Sequence, residues 1–205
     1  MIAVVTGATG DAGRATSTAL IDAGHTVVAV GSDAGRLETV AASLRLVCDL
    51  TDPRATTELA SRVRAEAGGA EALIHLVGGW RGGHESDDWD WLEPRVLTSL
   101  RLATVAFADD LAAAPAGRLI TIGSVAETKP TWGGANYSVL KAAAGAWVSA
   151  VASGWRRAGT AAAVELIVRS IGDDGTSPQT IAAKILEILA ADATTVNGSH
   201  IDLTV

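Results

Sequence analysis

Short apolar runs rich in valine and isoleucine alternate along the whole chain with longer segments whose apolar residues recur every third or fourth position. The runs at 2–6, 26–30, 44–48, 72–77, 118–122, 162–168 and 200–203 read as strands buried on both faces, since a strand with one wet face would alternate polar and apolar. The segments at 12–23, 34–43, 53–67, 88–113, 135–157 and 178–191 carry Ala, Leu, Glu and Arg at helical spacing. Two helix starts are marked by a capping side chain before proline, Asp52-Pro53 and Ser177-Pro178. Regular strand–helix alternation predicts a doubly wound parallel sheet of about seven strands with helices on both faces, a three-layer α/β/α arrangement. No repeat or linker interrupts it, so residues 1–205 read as one Rossmann-type domain.

Composition narrows the possibilities. The chain has 205 residues, 48% of them hydrophobic and 19% charged, enough apolar surface for a real core. A net charge of -7 without a basic stripe argues against nucleic acid as a partner. No apolar run is long enough for a membrane span. The single cysteine, Cys48, excludes an intrachain disulfide. With no basic, apolar leader after Met1, a cytoplasmic location is expected. His25, His75, His84 and His200 show no metal-ligand spacing, and no metal is expected.

Candidate chemistry lies at strand ends. The first strand runs into Gly7-Ala8-Thr9-Gly10-Asp11-Ala12-Gly13. Gly7 permits a tight turn, Gly10 lets a pyrophosphate approach the backbone, and Gly13 lets the helix pack on the sheet. The helix N-terminus beyond it offers free N–H groups to an anion, with the Asp11 carboxylate expected to point outward. Tyr137 and Lys141, four residues apart, share one helical face, and a lysine cation near a phenol lowers its pKa. Ser124, at the end of the fifth strand, can face the same cleft. Trp80 and Trp132 sit in the two irregular loops at that edge and are candidate walls of a substrate pocket, with His84 beside them. Trp147 and Trp155 read as core or helix–helix contacts, and His75 as a hydrogen-bonded core histidine.

The glycine turn, Cys48-Asp49-Leu50 after the third strand, Ser124 thirteen residues before Tyr137, and the Tyr137–Lys141 step together resemble the short-chain dehydrogenases/reductases. The resemblance implies an NAD(P)-dependent oxidoreductase acting on a carbonyl or alcohol. Tyr137 would exchange a proton with the substrate oxygen, Ser124 would orient that oxygen, and Lys141 would bind the nicotinamide ribose. Ser99 would fill the slot of the family's fourth catalytic residue, an asparagine that supports a relay water. Gly7, Thr9, Gly10, Asp11, Ala12, Gly13, Ser32, Asp49, Leu50, Val77 and Gly78, with Tyr137 and Lys141, would contact the dinucleotide, Asp49 at the adenine. His75-Leu76-Val77-Gly78 replaces the family's Asn-Asn-Ala-Gly, and the substrate-covering segment after the sixth strand is nearly missing. That shortening keeps open a rival reading, a weakly active or inactive nucleotide-binding regulatory or scaffold protein. Gly31 stands where NAD-binding relatives place an acid, so NADP is favoured over NAD, with Arg14 supplying the cation and Arg36 more distant, provided Asp33 turns away as a helix cap. The helices at 88–113 and 135–157 imply a homodimer or homotetramer.

Overall fold

The computed structural model describes residues 1–204. Seven strands form one all-parallel sheet in the order β3-β2-β1-β4-β5-β6-β7. They are β1 (Ile2–Thr6), β2 (Thr26–Gly31), β3 (Leu44–Val47), β4 (Ala72–His75), β5 (Arg118–Ser124), β6 (Ala162–Val168) and β7 (His200–Asp202). Helices α1 (Asp11–Asp22), α2 (Ala34–Leu37) and α7 (Pro178–Ala190) cover one face. On the other lie α3 (Pro53–Ala67), α5 (Ser99–Ala113) and α6 (Ala135–Trp155). β1, β2, β4, β5 and β6 are buried on both faces and two core layers result, whereas the edge strands β3 and β7, expected to be buried likewise, expose Arg45, Val47, His200 and Asp202 because no further strand or helix covers them. Val5, Ile74 and Leu20 pack in one, and Val4, Leu73 and Phe107 in the other.

Three elements depart from the sequence pattern. The helix expected over 34–43 is one turn, α2. Thr39 Oγ1 and the Arg45 guanidinium bind the carbonyls of Arg36, Leu37 and Val40, and these side-chain bonds replace further helical ones. The helix expected over 88–113 is α4 (Ser86–Glu93), a π-helical turn at Pro94–Thr98, and α5. Pro94 has no N–H to continue the α ladder, and the wider turn absorbs it. A short α8 (Ala193–Val196), capped by Asp192, falls between α7 and β7.

Arg118, on β5, is fully buried and donates to the carbonyls of Ile188, Gly117 and Ala191, closing the C-terminal end of α7. Strand order reverses between β1 and β4, and the carboxyl ends of these strands open the crevice where such sheets bind ligands.

Candidate active site

At the end of β1 the chain turns on two glycines that no other residue could replace without movement. Gly7 has φ +68°, and a Cβ there would lie 2.7 Å from the Leu76 carbonyl oxygen. A Cβ on Gly13 would lie 2.3 Å from the Gly7 oxygen, so α1 can approach β1 only with a hydrogen at that position. Gly10 caps α1 with no side-chain bond, leaving the first-turn N–H groups without a side-chain partner. Asp11 is exposed.

Beside this turn a cavity of about 710 Å³ is lined by Gly7, Thr9, Ser32, Asp49, Leu50, Val77 and Gly78, and also by Arg36, Arg95 and Ser99. Asp33 caps α2 by accepting from the Arg36 N–H at 2.8 Å, which turns its carboxylate away. Arg14, the expected cation, is tied to Thr9 O, Thr39 Oγ1 and Arg36 O and does not line this cavity, whereas Arg36, which also donates to Thr9 O, and Arg95 do. Asp49 Oδ1 accepts from both the N–H and the hydroxyl of Thr51, and these bonds hold its carboxyl below the usual carboxylate range.

A second cavity, about 500 Å³, shares Val77 and Gly78 with the first and continues past Ala12, Trp80, Ile122 and Ile171 to Tyr137 and Lys141. A third, about 200 Å³, holds Ser124 and Tyr137 between Trp80, Lys129 and Arg169. The larger groove between α1 and α7, about 820 Å³, contains none of the Ser124, Tyr137 and Lys141 side chains.

Ser124 and Tyr137 line the same small cavity, and Ser124 Oγ accepts the Ala126 N–H at 3.2 Å. Burial raises the Tyr137 phenol above its ordinary range, the nearby Ser124 hydroxyl lowers it, and the Glu127 carboxylate raises it again. The expected lowering by Lys141 is absent: the buried Nζ donates to the Ile122 carbonyl oxygen instead. Burial pulls the lysine down, opposed by Glu165 and Glu127. Glu127 also accepts the Ser124 N–H at 2.5 Å, completing a capping box that fixes the serine.

Ser99 lines the first cavity and contacts Arg95 and His75. Its Oγ donates to the Arg95 carbonyl at 2.7 Å and lies 3.3 Å from His75 Nε2, while His75 Nδ1 lies 2.9 Å from Thr6 Oγ1. Burial, with Lys141 nearby, pushes the imidazole down to about 3, so His75 is a neutral core histidine.

The two edge loops are joined. The Gly83 N–H donates to Gly133 O at 2.7 Å, Asn136 Nδ2 donates to Glu85 O at 2.8 Å, and His84 stacks on Trp132 at 4.4 Å. Trp80 borders both inner cavities, whereas Trp132 and His84, expected as pocket walls, line neither: they stack on each other in the solvent-facing loops, and Trp132 is 74% exposed. Trp147 and Trp155 pack against the core. After β6 a tight turn, bridged at Ile171 and Thr176, leads directly to α7. Sequence reasoning missed Glu127 and Glu165. The signal for Glu165 was a lone charge inside the apolar run Val164-Glu165-Leu166.

A glycine turn after β1, a crevice at the strand-order switch, and Ser124, Tyr137 and Lys141 lining the cavities beside it make up the candidate site. The short chain dehydrogenase family matches residues 1–169, and the chain belongs to it. It is 29% identical over 150 residues to 3-oxoacyl-(acyl-carrier-protein) reductase FabG of Salmonella typhimurium, covering 69% of this chain and 62% of the relative. It is 28% identical over 155 residues to 2,3-dihydro-2,3-dihydroxybenzoate dehydrogenase of Bacillus subtilis, covering 70% and 59%. The match thus spans about three-fifths of these curated relatives. Two solved structures share the fold. Ligand-free aldohexose dehydrogenase of Thermoplasma acidophilum has TM-score 0.87 and 17% identity, covering 98% of this chain and 91% of the other. An NADPH-bound short chain oxidoreductase of Pseudomonas aeruginosa PAO1, described as having an atypical catalytic center, has TM-score 0.89 and 18% identity, covering 98% and 94%.

Proposed function

We infer that this protein is an NAD(P)-dependent oxidoreductase that interconverts a carbonyl and an alcohol. The observation that carries the reading is the convergence of Ser124, Tyr137 and Lys141 at the inner end of a crevice built to take a dinucleotide. The residues fit that group: the turn at Gly7 and Gly13 has no room for a Cβ, and the uncapped N-terminus of α1 can receive a diphosphate. Ser32, Arg36, Asp49 and Leu50 would line the adenosine side, and Val77, Gly78, Tyr137 and Lys141 the nicotinamide side. When bound, the nicotinamide supplies or accepts the hydride.

The chain's own contribution is proton handling and positioning. Tyr137 gives a proton to, or takes one from, the substrate oxygen, and its raised pKa favours the protonated phenol, the form needed for carbonyl reduction. Ser124 holds that oxygen against the phenol. Lys141 supplies a fixed positive charge under the site, and Trp80 walls the pocket. Lys129 and Arg169 face the cavity over Ser124 and Tyr137 with no acidic residue in its lining, which favours substrates carrying an anionic group. A module that only bound nucleotide would have no use for all three polar residues together.

NADP is favoured over NAD, because Arg36 borders the adenosine cavity and Asp33 is turned away as a cap. Val105 on α5 and Val139 on α6 are 60% and 56% exposed, which favours self-association through these helices as a homodimer or homotetramer. Titration with NADPH and NADH, followed by turnover on a panel of carbonyls, tests the reading. Tighter NADPH binding with NADPH consumption supports it; binding of neither nucleotide overturns it.

A further inference from the structure

Beneath the lysine the sheet carries a row of polar side chains that oxidoreductase chemistry does not use. Thr6, His75, Thr121, Glu165 and His200 stand in register on β1, β4, β5, β6 and β7. In-register positions of parallel strands face the same way. The inner end is satisfied by the Thr6–His75–Ser99 contacts. The outer end is not: Thr121 Oγ1 and Glu165 Oε2 are buried without a hydrogen-bond partner, and Glu165 is only 1% exposed. A carboxylate oxygen taken out of water with no aligned hydrogen bond, and only the His200 imidazole beside it, is costly.

The surroundings converge on that oxygen. One ligand atom each from Glu127, Glu165 and His200 lies within 4.8 Å of the others. Glu127 Oε1 is occupied by the Ser124 N–H, which leaves Oε2 free to turn inward. That atom and Glu165 Oε2 meet above Gly145, where a Cβ would stand 3.0 and 3.1 Å from them. Gly123 makes room in the same way, since a Cβ there would meet the Glu165 carboxyl carbon at 2.7 Å. His200 brings Nδ1 to 3.0 Å from Glu165 Oε2 without the alignment of a hydrogen bond. Its Nε2 lies 3.4 Å from Ser149 Oγ, a contact that steers Nδ1 inward. The half-exposed imidazole opens the cluster to solvent at the β7 edge, away from the dinucleotide crevice.

We propose that Glu127, Glu165 and His200 form a binding site for a divalent first-row transition cation, with Zn²⁺ the best match. Two carboxylate oxygens and one imidazole nitrogen supply three ligands, and water completes a four-coordinate shell. Mg²⁺ fits poorly, because it demands an octahedral oxygen shell. Lys141 is the competing charge. It feels both carboxylates but forms its hydrogen bond with Ile122 O. A bound dication therefore opposes the lysine ammonium and gives metal a means of weakening cofactor binding. That consequence, unlike the site itself, rests on the oxidoreductase reading.

The test is calorimetric titration of the whole protein with ZnCl₂, and separately with MgCl₂, in the absence of nucleotide. One Zn²⁺ site is expected and no Mg²⁺ site. His200→Ala, which changes a half-exposed side chain, and Glu165→Gln should each weaken Zn²⁺ at least tenfold. His84→Ala should leave it unchanged, and Lys141→Met should tighten it several-fold, a direction that general damage would not produce. No Zn²⁺ binding by the native protein, or equal affinity after His200→Ala, overturns the proposal. Neither result bears on NADPH binding, which is measured independently.

Discussion

Alanine at Gly13 and alanine at Gly10 should fail in opposite ways, although the two glycines lie three residues apart in one turn. The added Cβ at Gly13 would stand 2.3 Å from Gly7 O, 2.6 Å from Ala8 Cα and 2.8 Å from Ala8 C. All three are backbone atoms, so no side chain can rotate out of the way, and α1 must retreat from β1 by roughly 1 Å. Overpacking of this kind costs about 1–3 kcal/mol, and the unyielding neighbours place it near the upper end. At Gly10 the Cβ would find only Gly7 O, at 3.5 Å, an ordinary contact. Alanine is a poorer N-cap than glycine, so stability should fall there by roughly 0.5–1 kcal/mol, less than at Gly13, but the methyl would stand where a diphosphate would meet the α1 N-terminus. Urea denaturation and NADPH titration separate the two. Gly13→Ala should lower the urea midpoint by roughly 1 M. Gly10→Ala should move the midpoint less than half as far and lose at least about tenfold in NADPH affinity, or ~1.4 kcal/mol. Native NADPH affinity in Gly10→Ala would refute the phosphate-turn argument, and a native midpoint in Gly13→Ala would refute the packing argument.

Other expectations follow from single side chains. His75 is held down to about 3 against 6.5 unfolded, so its contribution to stability is complete above pH 6.5 and is lost as pH falls toward 3. Between pH 7 and 4.5 the loss is about 3 kcal/mol at 1.36 kcal/mol per unit. Glu165, pushed up to about 6 by burial and by Glu127, works in the opposite sense over the same range. Comparing His75→Gln with the native protein isolates the histidine, and an unchanged pH slope in the variant would contradict the assignment. Arg36→Ala should remove most of the preference for NADPH over NADH while Arg14→Ala should not; fluorescence titration of both nucleotides decides it. Charging the α5 and α6 faces with Val105→Glu and Val139→Glu should convert the expected homo-oligomer to monomer in light scattering, and a native protein that is monomeric at every concentration would refute the association.

Most of the scaffold was legible because parallel strands buried on both faces leave unbroken apolar runs, and proline after Asp52 and Ser177 marks two helix starts directly. The proposed triad stands out in the sequence for a local reason: Tyr137 and Lys141 lie one helical turn apart. What local pattern could not convey was the company each side chain keeps. Arg14 is adjacent to the glycine turn in sequence, yet its guanidinium bonds two backbone carbonyls and Thr39 Oγ1, while Arg36, which also donates to Thr9 O, lines the cavity from α2. Lys141 shares a face with Tyr137, but its ammonium is anchored to a β5 carbonyl. The helix expected over 34–43 stopped at one turn because side chains of Thr39 and Arg45 captured its carbonyls. Glu127, Glu165 and His200 come from a 3₁₀ turn and two strands, and only the sheet register brings them together.

The central claim is that Tyr137 is the proton donor of an oxidoreductase site, with Ser124 holding the substrate oxygen. Steady-state turnover of Tyr137→Phe with NADPH and an accepted carbonyl tests it most directly, with NADPH affinity measured on the same sample. Loss of a general acid predicts turnover reduced by about a hundredfold or more, at an NADPH affinity within about twofold of native. Full turnover by Tyr137→Phe would contradict the account.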